Sequence, residues 1–568
     1  MRNLFVTCLM VCFTMATYAQ SAYWVMLSDK GEQATHKLNQ VAENFSPQAL
    51  ALRKEKNISF NMADVPVESS YVHAIEESGI EVLSTSRWIN AVAVHANACD
   101  LDYLESLSFV KGIRPCASFV ANAYEENILD IAELSQVMGD EYGKGQTQVD
   151  MINVPAFHAK GFRGKGVRIA ILDAGFPGVD SIKAFDKIRK EGRVIATYDF
   201  VENDEFVYHQ SSHGTNVMSC IGTDVPGKLI GTAPDASFVL CRTEDSRSET
   251  QVEEYNFLRA VEWCDSVGVD ILHASLGYTK FDDGIGSYTY QDLDGDKAIV
   301  TRAVDLAASK GILCTISAGN EGRNSWHYIA APCDADSVLC VGSVDKYEKK
   351  SGFSSFGPTA DGRIKPDVMA MGSYTAIWRP NNRQGNSSGT SFSGPLMAGF
   401  MACLMHANPD AEPMNLIQAT RMSGDQAGLP DNEYGYGIPD LVKADSLMKS
   451  GSNLYEMTIA QAEKPVRGKV NKTGDAPGRP VITRRPRYTK NPVTQITKTA
   501  TKIKFVPAEG QKIENISIRQ KGEHIDLPKS VLKVKGSKAI LKTKSMKAGR
   551  YELKIKTDKV EELIPFRL

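Results

Sequence analysis

Three short segments, far apart in the chain, carry side chains able to do chemistry together: VRIAILDAGF with Asp173, SSHGTNVMS with His213 and GTSFSGPLMAG with Ser391. A carboxylate can orient an imidazole by accepting its Nδ1–H, and the imidazole can then take a proton from a serine hydroxyl. The product is an activated oxygen nucleophile suited to acyl transfer. A fourth segment, ILCTISAGNEG, puts Asn320 just after an Ala-Gly turn, where its amide could donate to a developing oxyanion. The backbone N–H of Ser391 is the expected second donor. Glycines on both sides of the serine permit the close backbone approach that such chemistry needs.

Elements must bring these groups together. VRIAIL reads as a strand, with Asp173 at its carboxyl end, and HGTNVMSCIG reads as a helix beginning at His213. Pro395 is expected in the first turn of the helix after Ser391, where a missing N–H costs nothing, and that helix N-terminus favours negative charge. VRIAILD, SFVLCR, VDILHASLG and GILCTISAG are apolar without alternation, as strands buried on both faces of a parallel sheet are. YNFLRAVEWCDSV and IVTRAVDLAASK read as helices between them. The fold class expected is α/β: a three-layer domain with a parallel sheet and its site at the carboxyl ends of the strands.

At 568 residues the chain exceeds one ordinary core, and its 42% hydrophobic and 23% charged content is that of a globular protein. Residues 1–19 read as a signal peptide: one positive charge, an apolar run, then small residues at Thr17 and Ala19. Export to the periplasm, cell surface or medium follows, and no later stretch is long and apolar enough to span a membrane. Residues 20–125 read as a compact strand-and-helix unit. It comprises a strand at AYWVMLSD, a helix at VESSYVHAIEESG, a hairpin over IEVLSTSRWINAVAVHA, a helix at LDYLESLS and a last strand at VKGIRPCASFV. Residues 121–145 are polar and acidic and read as an exposed connector. Residues 126–450 hold the catalytic motifs. Of eleven cysteines, two leave with the signal, and the rest lack zinc spacing and sit mostly in apolar segments. Cys333 and Cys340 could either bridge or stay reduced.

Residues 451–568 hold 27 Lys and Arg against 11 Asp and Glu, a net +16; with −3 for the whole chain, residues 1–450 carry −19. Such asymmetry marks a separate module. Residues 451–500 are rich in Pro, Lys, Arg and Thr and read as a linker. Residues 501–568 recover alternation, as at Tyr551, Leu553 and Ile555, and read as a small basic β-sandwich. Its charge suits anionic glycans or surfaces; without an aromatic stacking row, and on an exported chain, nucleic acid is not an expected partner.

Taken with their order Asp, His, Ser, the motifs of residues 146–446 resemble the subtilisin family, the subtilases, and residues 20–125 resemble its inhibitory propeptide. Together these cover about three-quarters of the chain. The resemblance implies a secreted serine endopeptidase acting on protein and peptide substrates through an acyl-enzyme, made as a precursor inhibited by its own propeptide. Asp173, His213 and Ser391 would form the triad and Asn320 the oxyanion hole. Ser275, Leu276 and Gly277 would pair with substrate backbone as an added strand, with Ala318 and Gly319 on the other side of the cleft. Ala330 and Ala331 would floor an open S1 pocket for a large apolar side chain. No cofactor is required; structural calcium is possible, and DLDGD (292–296), near Asp282 and Asp283, invites it, although an exposed acidic loop is the plainer reading. Three residues depart from the family pattern: Ala174 after the Asp, Phe392 after the nucleophile where Met is common, and His273 before the cleft segment, read as a satisfied strand histidine. The rival reading is a catalytically silent scaffold whose basic C-terminal module makes it a binding or adhesion protein.

Overall fold

A computed structural model describes residues 21–117, 141–247, 250–282 and 286–450, together with the backbone of strands between 493 and 567. The expected signal peptide and most of the connector lie outside these residues.

The apolar runs do form a parallel sheet. Its seven strands run in the order Val368–Met371, Val338–Val344, Leu313–Ser317, Ile271–Ala274, Arg168–Asp173, Ser237–Arg242, Val194–Asp199. Because side chains alternate along a strand, each run serves two cores. Ile169, Ile171, Leu240 and Ile271 face the helices His213–Gly222 and Thr390–Ala407. Ala170, Leu172, Val239 and Leu272 face Gln251–Val267 and Ile299–Ser309. The result is the three-layer α/β arrangement, with Asp173 at a carboxyl strand end and His213 opening its helix.

The N-terminal unit is a four-stranded antiparallel sheet in the order Glu81–Ser86, Ala91–Ala96, Ser21–Leu27, Val110–Ala117. One face, with Val25, Val92 and Val94, packs under the helices Ser69–Glu77 and Ala98–Ser106 through Ile75 and Leu104. The other face, with Ala22, Trp24, Ala91 and Ala93, belongs to the same core as the helix Gln251–Val267. Trp24 meets Tyr255 edge-on at 5.0 Å between ring centroids.

Ions join the two units as well. Arg53 bonds to both Asp64 at 2.9 Å and Asp265 at 2.8 Å, Lys310 reaches Asp64 at 2.8 Å, and Arg87 reaches Asp265 at 3.1 Å. Ser86 and the Arg87 amide both donate to Glu262. The helix Gln251–Val267 ends at Gly268, φ 86°, where a Cβ would lie 2.5 Å from the Ala49 nitrogen. The sharp end therefore also makes room for the N-terminal unit.

Two expectations need amendment, and one alternative left open is decided. Tyr142, at the far end of the expected exposed connector, is buried, its hydroxyl 2.9 Å from His158 Nδ1. Cys333 and Cys340, both fully buried, form a disulfide. In the C-terminal region two four-stranded antiparallel sheets form, and their first strand, Val493–Thr499, begins inside the stretch read as a linker because its residues are mostly β-branched.

Candidate active site

Asp173 is completely buried and accepts the Nδ1–H of His213, at 2.8 Å to one oxygen and 3.0 Å to the other. The Ala174 amide also donates to it at 2.8 Å. The turn after Asp173 requires glycine: at Gly175 (φ 138°) a Cβ would strike the His209 carbonyl oxygen at 2.2 Å. Ala174 thus takes nothing from the carboxylate, because the group that binds it is backbone.

Ser391 is the second residue of the helix Thr390–Ala407. Phe392 sets its ring 5.9 Å from the His213 imidazole, which brings the nucleophile's segment against the acid–base pair. Pro395 lies inside this helix, beyond its first turn. It has no N–H to offer the Ser391 carbonyl four residues back. The Ser275 hydroxyl donates to that carbonyl instead, at 3.0 Å, so the helix tolerates a proline that sequence placed nearer its start.

Asn320 accepts from the Thr390 amide at 2.9 Å and the Thr390 hydroxyl at 3.1 Å through Oδ1. A Cβ at Gly389 would lie 3.6 Å from both Asn320 Nδ2 and the Ser391 nitrogen. Glycine therefore leaves open the space those two nitrogens border, on the side where an oxyanion would need its donors.

Ser275, Leu276 and Gly277 leave the carboxyl end of Ile271–Ala274; Ala318 and Gly319 leave that of Leu313–Ser317. Between these segments sits Ala330, whose Cβ would be 2.8 Å from a Cβ on Gly277 and 3.5 Å from one on Gly319. The expected site residues thus gather at the carboxyl ends of central strands, with His213 joined through Asp173 and the Ser391 segment through Ser275 and Asn320.

Sequence reasoning missed several neighbours. Thr390 fixes the Asn320 amide, and the Ser317 hydroxyl donates to the Thr390 carbonyl at 2.9 Å. Glu244 takes hydroxyls from Tyr278 at 2.7 Å and Thr243 at 2.8 Å. Burial holds the Glu244 carboxyl above the usual carboxylate range, and the Asp173 charge adds to this. Only the threonine within GTS carried any sequence signal.

His273 is buried and bonded, as expected for a strand histidine. The acidic loop offers little to calcium: Asp294 Oδ1 accepts the Asp296 and Lys297 amides at 3.0 and 3.1 Å, and Asp292 is bonded to Thr289 and Lys297. Among the described residues no group of three or more His, Cys, Asp or Glu side chains could hold a metal ion; Asp283 lies outside them. Among them, too, no helix is long and apolar enough to cross a membrane.

A parallel α/β sheet with a carboxylate–imidazole pair, a helix-borne serine and an amide at its strand ends defines the class of serine hydrolases. Comparison with known proteins narrows this. Residues 164–437 match the subtilase family, and residues 22–128 match the peptidase S8 propeptide domain of Bacteroidota. The former thus form a domain of the subtilase family of serine proteases, and the latter its propeptide domain. It is similar to serine protease AprX of Bacillus subtilis, 30% identical over 307 residues, which are 48% of this chain and 65% of AprX. It is also similar to subtilisin NAT of Bacillus subtilis subsp. natto, 27% identical over 342 residues, 59% of this chain and 75% of that one. The crystal structure of the epidermin leader peptide processing serine protease of Staphylococcus aureus shares the fold, with a TM-score of 0.51, 15% identity, and coverage of 76% of this chain and 99% of that one.

Proposed function

We propose that this protein is a secreted serine endopeptidase, made as a precursor and held inactive by residues 20–125 until they are removed. The observation that carries the reading is the Asp173–His213 pair at 2.8 Å beside a helix-borne Ser391 and the Gly389–Asn320 cradle.

His213 Nδ1–H is committed to Asp173, which leaves Nε2 to take the Ser391 proton as Oγ attacks the scissile carbonyl. The carbonyl oxygen becomes anionic between Asn320 Nδ2 and the Ser391 amide, already oriented before reaction. Asp173 stabilises the imidazolium. On collapse, His213 passes the proton to the leaving amine and the acyl group stays on Ser391. Water, activated by His213, then releases the acid. An extended substrate would lie between Ser275–Gly277 and Ala318–Gly319 as an added strand. The small Ala330 supports a large apolar side chain in the S1 pocket. The domain boundaries proposed are 1–19 signal, 20–125 propeptide and 126–450 peptidase, followed by a linker and a basic β domain whose first strand begins at Val493.

The test is production of the full chain through an export pathway, followed by assay on denatured casein with mapping of the new termini. The wild type should shorten, then cut casein after large apolar residues; Ser391→Ala should stay full length and inert. Equal cutting by both chains, or none by the wild type after another protease removes the propeptide, contradicts the reading.

A further inference from the structure

His273 is fully buried in the strand Ile271–Ala274, and burial pushes its imidazole down to about 3, so the ring is neutral. A neutral ring donates from one nitrogen and accepts at the other. Nδ1 lies 3.0 Å from both the Thr315 hydroxyl and the Thr315 carbonyl. Nε2 lies 2.8 Å from Ser275 Oγ, and Ser275 Oγ lies 3.0 Å from the Ser391 carbonyl.

Ser275 has one hydroxyl proton and two possible acceptors, His273 Nε2 and the Ser391 carbonyl. That carbonyl can only accept, and Pro395 deprives it of its helical N–H. We propose that His273 is a positioning residue for the nucleophile: its Nε2–H donates to Ser275 Oγ and so directs the Ser275 proton to the carbonyl of Ser391. Nδ1 then accepts from the Thr315 hydroxyl and forgoes a bond to the Thr315 carbonyl at 3.0 Å, the bond that the opposite tautomer would make. In the opposite tautomer Ser275 turns its proton to the ring, and the peptide carrying the nucleophile loses its anchor.

Packing leaves no slack. At Gly394, in the same helix turn as Ser391, a Cβ would come within 2.8 Å of His273 Cε1 and 2.5 Å of Ser317 Oγ. The ring therefore lies against the helix directly and reaches its Ser391 carbonyl through the Ser275 hydroxyl. The chain of bonds also starts two residues before Gly277, so one side chain ties the substrate-pairing segment to the nucleophile's backbone.

This proposal rests on the peptidase reading, so it is tested in two ways. The first does not depend on activity: neutron diffraction from crystals of the full chain carrying Ser391→Ala, which retains the residue-391 carbonyl. Deuterium on Nε2, with the Ser275 deuterium aimed at that carbonyl, is expected; a bare Nε2 overturns the proposal. The second uses the processed enzyme. His273→Leu should lower kcat and the rate of fluorophosphonate labelling about tenfold with KM unchanged, the scale of a small nucleophile misplacement. His273→Gln, whose amide NH2 can occupy the Nε2 position, should stay within about threefold of wild type. Equal loss in both variants, loss in neither, or a change confined to KM overturns it. A wild type that takes no label would instead contradict the peptidase reading itself.

Discussion

The contacts that hold the nucleophile and those that seat the propeptide differ in kind. Behind Ser391, the helix Thr390–Ala407 packs through Leu396, Met397, Phe400 and Met401, all fully buried, with Thr390, Ser391 and Ser393 at its amino end and Cys403 donating to the Thr232 carbonyl further along. Between the propeptide and the helix Gln251–Val267, the Trp24 face is apolar, but beside it lie Arg53, Asp64, Arg87, Glu262, Asp265 and Lys310. Buried ions cost desolvation that their pairing roughly offsets, whereas apolar burial is favourable throughout. An ionic contact has a second property: once separated, each half presents charges that water accepts. On the proposed reading this surface is covered in the precursor and bare in the mature enzyme, which suits ions; a permanent core suits Leu and Phe.

That contrast can be broken at either side. The largest effect is expected at the centre. Asn320→Ala should lower kcat by about 10²–10³, the range known for a side-chain oxyanion donor in subtilisin, and leave the propeptide contact unchanged. Steady-state kinetics of the processed enzyme decide it. Asp64→Ala should do the reverse. Removing one partner of a buried ion pair costs about 3–5 kcal/mol, so the precursor should mature at least about tenfold faster while the mature enzyme keeps its kcat. Time-resolved gels of processing read this out.

A third test compares two sites on one helix. Glu262 lies in the ionic contact, whereas Glu254 is buried beside Tyr288, whose hydroxyl donates to it at 2.6 Å. Burial pushes the Glu254 carboxyl from 4.5 up to about 8. The folded state thus holds this proton more tightly than the unfolded chain. Its contribution to stability is full below about 4.5 and is lost as pH rises through about 8. In a Ser391→Ala background, Glu254→Gln should shrink the fall in Tm between pH 5 and pH 9 by about 3 °C or more, read by calorimetry. The smallest effect concerns Phe392. The wild type should keep most of its activity in stoichiometric peroxide, whereas Phe392→Met should lose it as the thioether beside the nucleophile oxidises. Rapid wild-type loss would count against this.

Sequence made the elements that carry the candidate groups legible because each motif is local: VRIAILD is a strand with its acid at the end, and HGT and GTSFSGP open helices. The sheet was legible because runs such as SFVLCR and ILCTIS are too apolar for a wet face. The ion cluster was not. Arg53 sits beside Lys54, Glu55 and Lys56, Asp64 lies eleven residues on, and their partners Asp265 and Lys310 are more than two hundred residues away. Pro395 misled for a related reason. Local rules put it in a first turn, because the hydroxyl that compensates for it comes from Ser275, on another strand. Sequence revealed that His273 was unusual, but its bond to Thr315 exists only once two strands are paired.

The central claim is that Ser391 is an activated nucleophile in a chain that processes itself. Intact-mass spectrometry of wild-type and Ser391→Ala chains, each exposed to a fluorophosphonate, tests it most directly. The account predicts that the wild type loses its propeptide and gains one adduct, while Ser391→Ala keeps its full mass and gains none. If both chains stay full length, and both remain unlabelled after another protease removes the propeptide, the account is contradicted and the scaffold has no active serine.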